Sequence, residues 1–82
     1  MNVMMTKNFM SEAKALELKD NSDFAAIALK LSEVAGMNHK ELQKLKVKDS
    51  MNDVYVIKHK NLRLFFTKND ENVVALSVAS FN

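Results

Sequence analysis

The sequence predicts a single small α+β domain spanning residues 1–82, built in the order β-α-α-β-β-β, with an N-terminal helical hairpin packed on one face of a small antiparallel sheet. Three observations lead there. Residues 54–79 carry three apolar runs, rich in β-branched and aromatic residues, separated by two polar Asn-containing breaks, which is the pattern of a meander. Residues 24–35 repeat apolar side chains at the helical period. A short apolar stretch at the N-terminus runs into a second, weaker helical stripe.

Met1–Thr6 is short and apolar, and reads as an edge or a central strand in which Val3 and Met5 share one face. Thr6 or Asn8 caps a helix running to about Lys19, with Phe9, Ala13 and Leu16 on one stripe and Met10 beside it. The polar break Asp20–Asp23 is rich in capping residues, and Ser22 or Asp23 starts a second helix. Its apolar stripe is Phe24, Ile27, Ala28, Leu31, Val34 and Ala35, and Gly36, the only glycine, sits where a left-handed C-terminal cap is wanted. Met37–Ser50 reads either as a short helix or as an extended connection carrying Leu42, Leu45 and Val47; alternation of Lys44, Lys46 and Lys48 with Leu45 and Val47 favours a partly extended segment.

The meander fixes a register, because a slip of one residue exchanges the two faces of a strand. A two- or four-residue loop at the first break pairs His59 with Leu62 and Lys58 with Arg63. A three-residue loop Asn69–Glu71 at the second pairs Phe66 with Val74, Leu64 with Leu76 and Leu62 with Val78. One face is then apolar (Tyr55, Ile57, Leu62, Leu64, Phe66, Val74, Leu76, Val78), and the other carries Val56, Lys58, Arg63, Phe65, Ala75, Ser77 and Ala79. Asn, which tolerates left-handed backbone best among non-glycine residues, is expected at the turn positions.

Composition narrows the function classes. There is no cysteine, which excludes disulfides and thiolate metal sites and, with no signal sequence, fits a reducing cytoplasm. No apolar run approaches the roughly 20 residues that span a bilayer. The net charge is only +2, but residues 40–60 hold six lysines and His59, with His39 just before them, against Glu41, Asp49 and Asp53. A segment of that kind suits a polyanion or an acidic protein partner, although lysine is also the commonest residue of an ordinary solvated face. Phosphate loops, nucleophile elbows and zinc-protease motifs are absent, and two distant histidines give no metal pair.

Arg63 is the only arginine, and it lies mid-strand between two leucines. A guanidinium there either grips phosphate bidentately and stabilises charge in phosphoryl transfer, or pairs with an acidic residue across the strand. Lys58 is placed beside it, and two neighbouring cations are best reconciled by an anion between them. Phe65, on the same face, is able to stack a base or to pack beneath a terminus or partner. Tyr55 is read as a core residue.

The run Val54–Phe66 followed by Val73–Val78, with Met4–Phe9 leading into the first helix, resembles the RelE/ParE superfamily of bacterial type II toxins. The resemblance covers nearly the whole chain and implies a toxin neutralised by a cognate antitoxin. For RelE-like members it implies metal-independent, ribosome-dependent cleavage of mRNA, needing no metal and no small-molecule cofactor. Carried over by position, it makes Arg63 and Lys58 the catalytic cations, and it places Lys44 and Lys46 where the family often contacts ribosomal RNA. Lys48, Lys60 and Phe65 complete the expected RNA surface. The sequence departs from the family after its last strand: no ionisable side chain follows Glu71, where the family usually has Arg, His or Tyr. The departure leaves two other readings open, a ParE-like inhibitor of DNA gyrase and a catalytically attenuated member that only binds an antitoxin.

Overall fold

The computed structural model describes residues 2–18, 22–47 and 53–81, with Ser22 described in its backbone only. The elements are β1 (Asn2–Met5), α1 (Lys7–Ala15), α2 (Ser22–Val34), a short α3 (His39–Gln43), β2 (Tyr55–His59), β3 (Leu62–Lys68) and β4 (Asn72–Ser80). The four strands form one open sheet in the order β1-β4-β3-β2. It is mixed, not purely antiparallel: β1 lies at the edge and runs parallel to β4, Val3 opposite Val73 and Met5 opposite Ala75. No hairpin links β1 to β4, so the direction of β1 is set by the helices that return the chain over the sheet.

The core lies between α1 and α2 and one face of the sheet. Phe9, Ile27, Leu31, Leu64, Phe66, Val73 and Ala75 are fully buried, and Val3 and Met5 pack against them from β1. Tyr55 is 4% exposed and stacks on Phe66 with ring centroids 5.6 Å apart, so it is a core residue.

Thr6 is the cap of α1: its Oγ1 accepts from the Phe9 amide at 3.0 Å. The helix ends four residues before the expected Lys19. Glu17 takes a left-handed conformation (φ 59°), its amide donates to the Lys14 carbonyl, and the Leu18 amide donates to that of Ala13. These two bonds form a Schellman cap, and they turn Leu18 down into the core. Beyond β1, polar side chains of α1 serve the free edge of β4. Asn8 Nδ2 donates to the Leu76 carbonyl at 2.9 Å, and Glu12 Oε1 accepts from Ser77 Oγ at 2.8 Å and from the Val78 amide at 3.3 Å. The edge that β1 leaves open is thus closed by a helix.

Gly36 departs from its expected role, because no glycine has positive φ. The last turn of α2 tightens through bonds three residues back, Gly36 to Glu33 and Met37 to Val34, and needs no left-handed residue. The connection after α2 is helical first and extended only from Lys46. Lys44 caps α3 in the right-handed conformation, so the alternation from Lys44 is not realised. Lys46 then bridges to Tyr55, with the Val56 amide donating to the Leu45 carbonyl (2.9 Å) and the Val47 amide to that of Val54 (2.8 Å). Among the described residues no helix is long and apolar enough to cross a membrane.

The first hairpin has the expected register, Lys58 opposite Arg63 and His59 opposite Leu62. Its two-residue turn places Lys60, not Asn61, at positive φ (55°). The second hairpin differs. Lys68 pairs with Val73 across a four-residue loop, where Asn69 Oδ1 accepts from the amides of Glu71 and Asn72. Phe66 then faces Ala75, not Val74. A bulge at Leu76 shifts the ladder again, so Leu64 pairs with Val78, Arg63 with Ala79 and Leu62 with Ser80. Ala75 therefore belongs to the buried face, whereas Val74 leaves it.

A test follows from Gly36. A Cβ there meets only the Glu33 carbonyl, at an ordinary 3.6 Å. Gly36→Ala should raise unfolding free energy by about 0.4–1 kcal/mol, chiefly by restricting the unfolded chain, as measured by urea denaturation. A loss of stability would contradict the right-handed backbone at this position.

Candidate functional site

Strand β3 alternates deep burial with exposure. Leu62, Leu64 and Phe66 sink into the core, which turns Arg63, Phe65 and Thr67 to the opposite, open face. Cross-strand pairing with β2 puts exposed Lys58 directly beside exposed Arg63. On the other side the cross-strand partner of Arg63 is Ala79, which carries no charge. Among the described residues no carboxylate pairs with Arg63. Its guanidinium instead lies over the ring of Phe81, with the central carbon 4.2 Å from the ring centroid. Lys58, Lys60, Asn61, Leu62, Arg63 and Phe81 line a hollow of about 220 Å³. Among the described residues neither Lys58 nor Arg63 has a carboxylate partner, which makes the hollow suited to an anion such as a carboxylate or phosphate.

A second basic feature runs along the outer edge of β2. Lys30 from α2, Lys44 and Lys46 from the connection, and Lys58 rim a groove of about 430 Å³ floored by Leu45, Val56 and Ile57. Lys58 belongs to both features, so groove and hollow share one cation. Lys46 is partly engaged by Asp53 at 3.1 Å, an exposed pair of small energetic weight. Phe65 is half-buried on the open face, between Val56 and Ser77. Lys48 lies outside the described residues.

Lys60 and His59 are placed differently from Lys58. Asp23, in the first turn of α2, accepts from Lys60 Nζ at 2.8 Å and contacts His59 Nε2 at 3.2 Å. The imidazole is thereby held on the helix side of the sheet, 13% exposed, away from Arg63. This clasp ties the β2–β3 turn, and with it the Lys58–Arg63 pairing, to α2. Among the described residues, the lining of the Arg63 hollow includes no carboxylate, imidazole or phenol. Such a lining offers cations to an anion, but none of the side chains that usually transfer protons near neutral pH.

Sequence reasoning missed Phe81 and Lys30. Lys30 stands three residues after Ile27 and four before Val34, on the flank of the buried stripe, and that spacing was available as a signal. Phe81 was hidden by the longer second loop and the bulge, which together bring Arg63 opposite Ala79 and make Phe81 its diagonal cross-strand neighbour.

No family model, curated protein or solved structure matches the chain.

The Lys60 ammonium, and next the His59 ring, hold the Asp23 carboxyl below the usual carboxylate range. Stability from the clasp is therefore fully present above the unfolded carboxylate's pKa and is lost as pH falls through the lower folded value. Asp23→Asn should lower stability near neutral pH and flatten this acid limb in urea titrations run across pH. An unchanged acid limb would show that the clasp contributes nothing.

Proposed function

We propose that the chain is the toxin of a type II toxin–antitoxin system, of the RelE-like kind, acting in the cytoplasm on mRNA at the ribosome and held in check by a cognate antitoxin. The observation that carries this reading is the register that sets Lys58 beside Arg63 on an open face, with no acidic partner for Arg63 among the described residues. The element order supports it, since β-α-α-β-β-β is retained with only the short α3 added. The lysine-rimmed groove beside β2 extends the cationic surface along which an RNA backbone is neutralised.

In the reaction, the ribose 2′-hydroxyl attacks the adjacent phosphorus. The bond from phosphorus to the 5′-oxygen breaks as the new P–O2′ bond forms. Arg63 and Lys58 stabilise the extra negative charge on the phosphoryl oxygens, which builds up only in the transition state. The 2′ proton passes to water, and the leaving 5′-oxygen takes one from the Lys58 ammonium or from water. No metal takes part.

One observation favours a second reading, in which the chain binds RNA or antitoxin without cutting. His59 is held by Asp23 on the far side of the sheet, so the only imidazole beside the pair is withheld from it.

Induced expression in a bacterial host separates the two. Wild type should arrest growth and bulk translation together, and Arg63→Ala should abolish the arrest, with cleavage reduced by about 10²-fold or more. Normal growth under both would overturn the nuclease and leave the binding protein.

A further inference from the structure

We infer that Phe81 is a positioning residue that holds the Arg63 guanidinium flat and edge-on to the hollow it shares with Lys58. The inference rests on the reading of that hollow as an RNA phosphate site. Phe81 follows β4 but is pinned there: its amide donates to the Asn61 carbonyl at 2.7 Å, and Asn61 Nδ2 donates to Ser80 Oγ at 3.2 Å. The ring is 47% exposed, so hydrophobic burial accounts poorly for its place. Its face is occupied by Arg63, 4.2 Å from centroid to guanidinium carbon.

The geometry has a chemical consequence. Stacking engages the face of a guanidinium and leaves its N–H edge free to form two parallel bonds to a phosphate. Without the ring, repulsion from Lys58 directly across the strand pair would swing the flexible side chain away. The ring therefore offsets the repulsion that an empty anion site creates, and keeps the fork oriented before the anion arrives. An exposed contact of this type is worth about 2- to 5-fold in the population of the oriented state.

The test exploits the single arginine of this chain. In ¹⁵N-labelled protein one side-chain Nε–H signal reports Arg63 alone, displaced by the ring current of Phe81. Affinities for a short oligouridylate and for linear polyphosphate, which has no base to stack, are measured for wild type, Phe81→Leu, Phe81→Tyr and Arg63→Ala. Backbone amide spectra confirm that each variant is folded. The inference expects Phe81→Leu to move the Nε signal and to weaken both ligands about 2- to 5-fold, with Phe81→Tyr restoring both. Weakening of oligouridylate alone would make Phe81 a base platform and overturn the positioning role. No weakening by Phe81→Leu, where Arg63→Ala weakens both ligands, would overturn the role while the phosphate site stands. Unchanged affinities in Arg63→Ala would remove the phosphate site, and the inference with it.

Discussion

The constraint on which the rest depends is the alternation along β3. Leu62, Leu64 and Phe66 are each less than a tenth exposed, and together they supply the centre of the sheet's buried face. Burying a leucine or phenylalanine side chain is worth about 1.5–3 kcal/mol, so a slip of one residue, which would expose all three and bury Arg63, is strongly disfavoured. Arg63 faces outward because its neighbours must face inward. The short turn at Lys60–Asn61 then carries this orientation to β2 and brings Lys58 alongside. A cationic pair that electrostatics alone would separate is imposed by packing on the other side of the sheet.

The same logic explains which parts of the fold were legible. The first hairpin could be read because Tyr55, Ile57, Leu62, Leu64 and Phe66 agree on one face and a two-residue loop leaves little freedom. The second could not, because Val73-Val74-Ala75-Leu76-Ser77-Val78 alternates acceptably in either register. What decides it is that Ala75, small enough to lie beneath the helices, is buried, and that the bulge at Leu76 then returns Val78 to the core. Bulges of this kind have no strong sequence mark. The cost was specific: with the expected three-residue loop and no bulge Arg63 opposes Ser77, far from Phe81, whereas the longer loop and the bulge each move its partner by one residue, to Ala79.

Two further differences share a cause. Left-handed backbone was expected at Gly36 and at asparagine, yet it occurs at Glu17 and Lys60. Each of those positions is compensated nearby, by the paired cap bonds that bury Leu18 and by the Lys60–Asp23 contact. At Lys60 local propensity was outweighed by a contact between distant segments, and at Glu17 by a cap that buries Leu18 in the core; a single sequence displays neither. The parallel edge strand β1 has the same origin. Its partner lies some 70 residues away, and its free continuation along β4 is closed by Thr6, Asn8 and Glu12, which in the sequence look like an ordinary cap and ordinary polar positions of a helix. The candidate site, by contrast, was partly visible, because the unusual residue in it is an arginine in a chain otherwise charged by lysine.

The central claim is that Lys58 and Arg63 act as one anion site, not as two surface cations. A double-mutant cycle on affinity for single-stranded RNA tests it, comparing Lys58→Ala, Arg63→Ala and the double variant at fixed salt. Groups that grip the same phosphate should be coupled by about 0.5–3 kcal/mol, so that the second substitution costs much less than the first. Strict additivity would mean two independent cations on a solvated face, and would contradict the account.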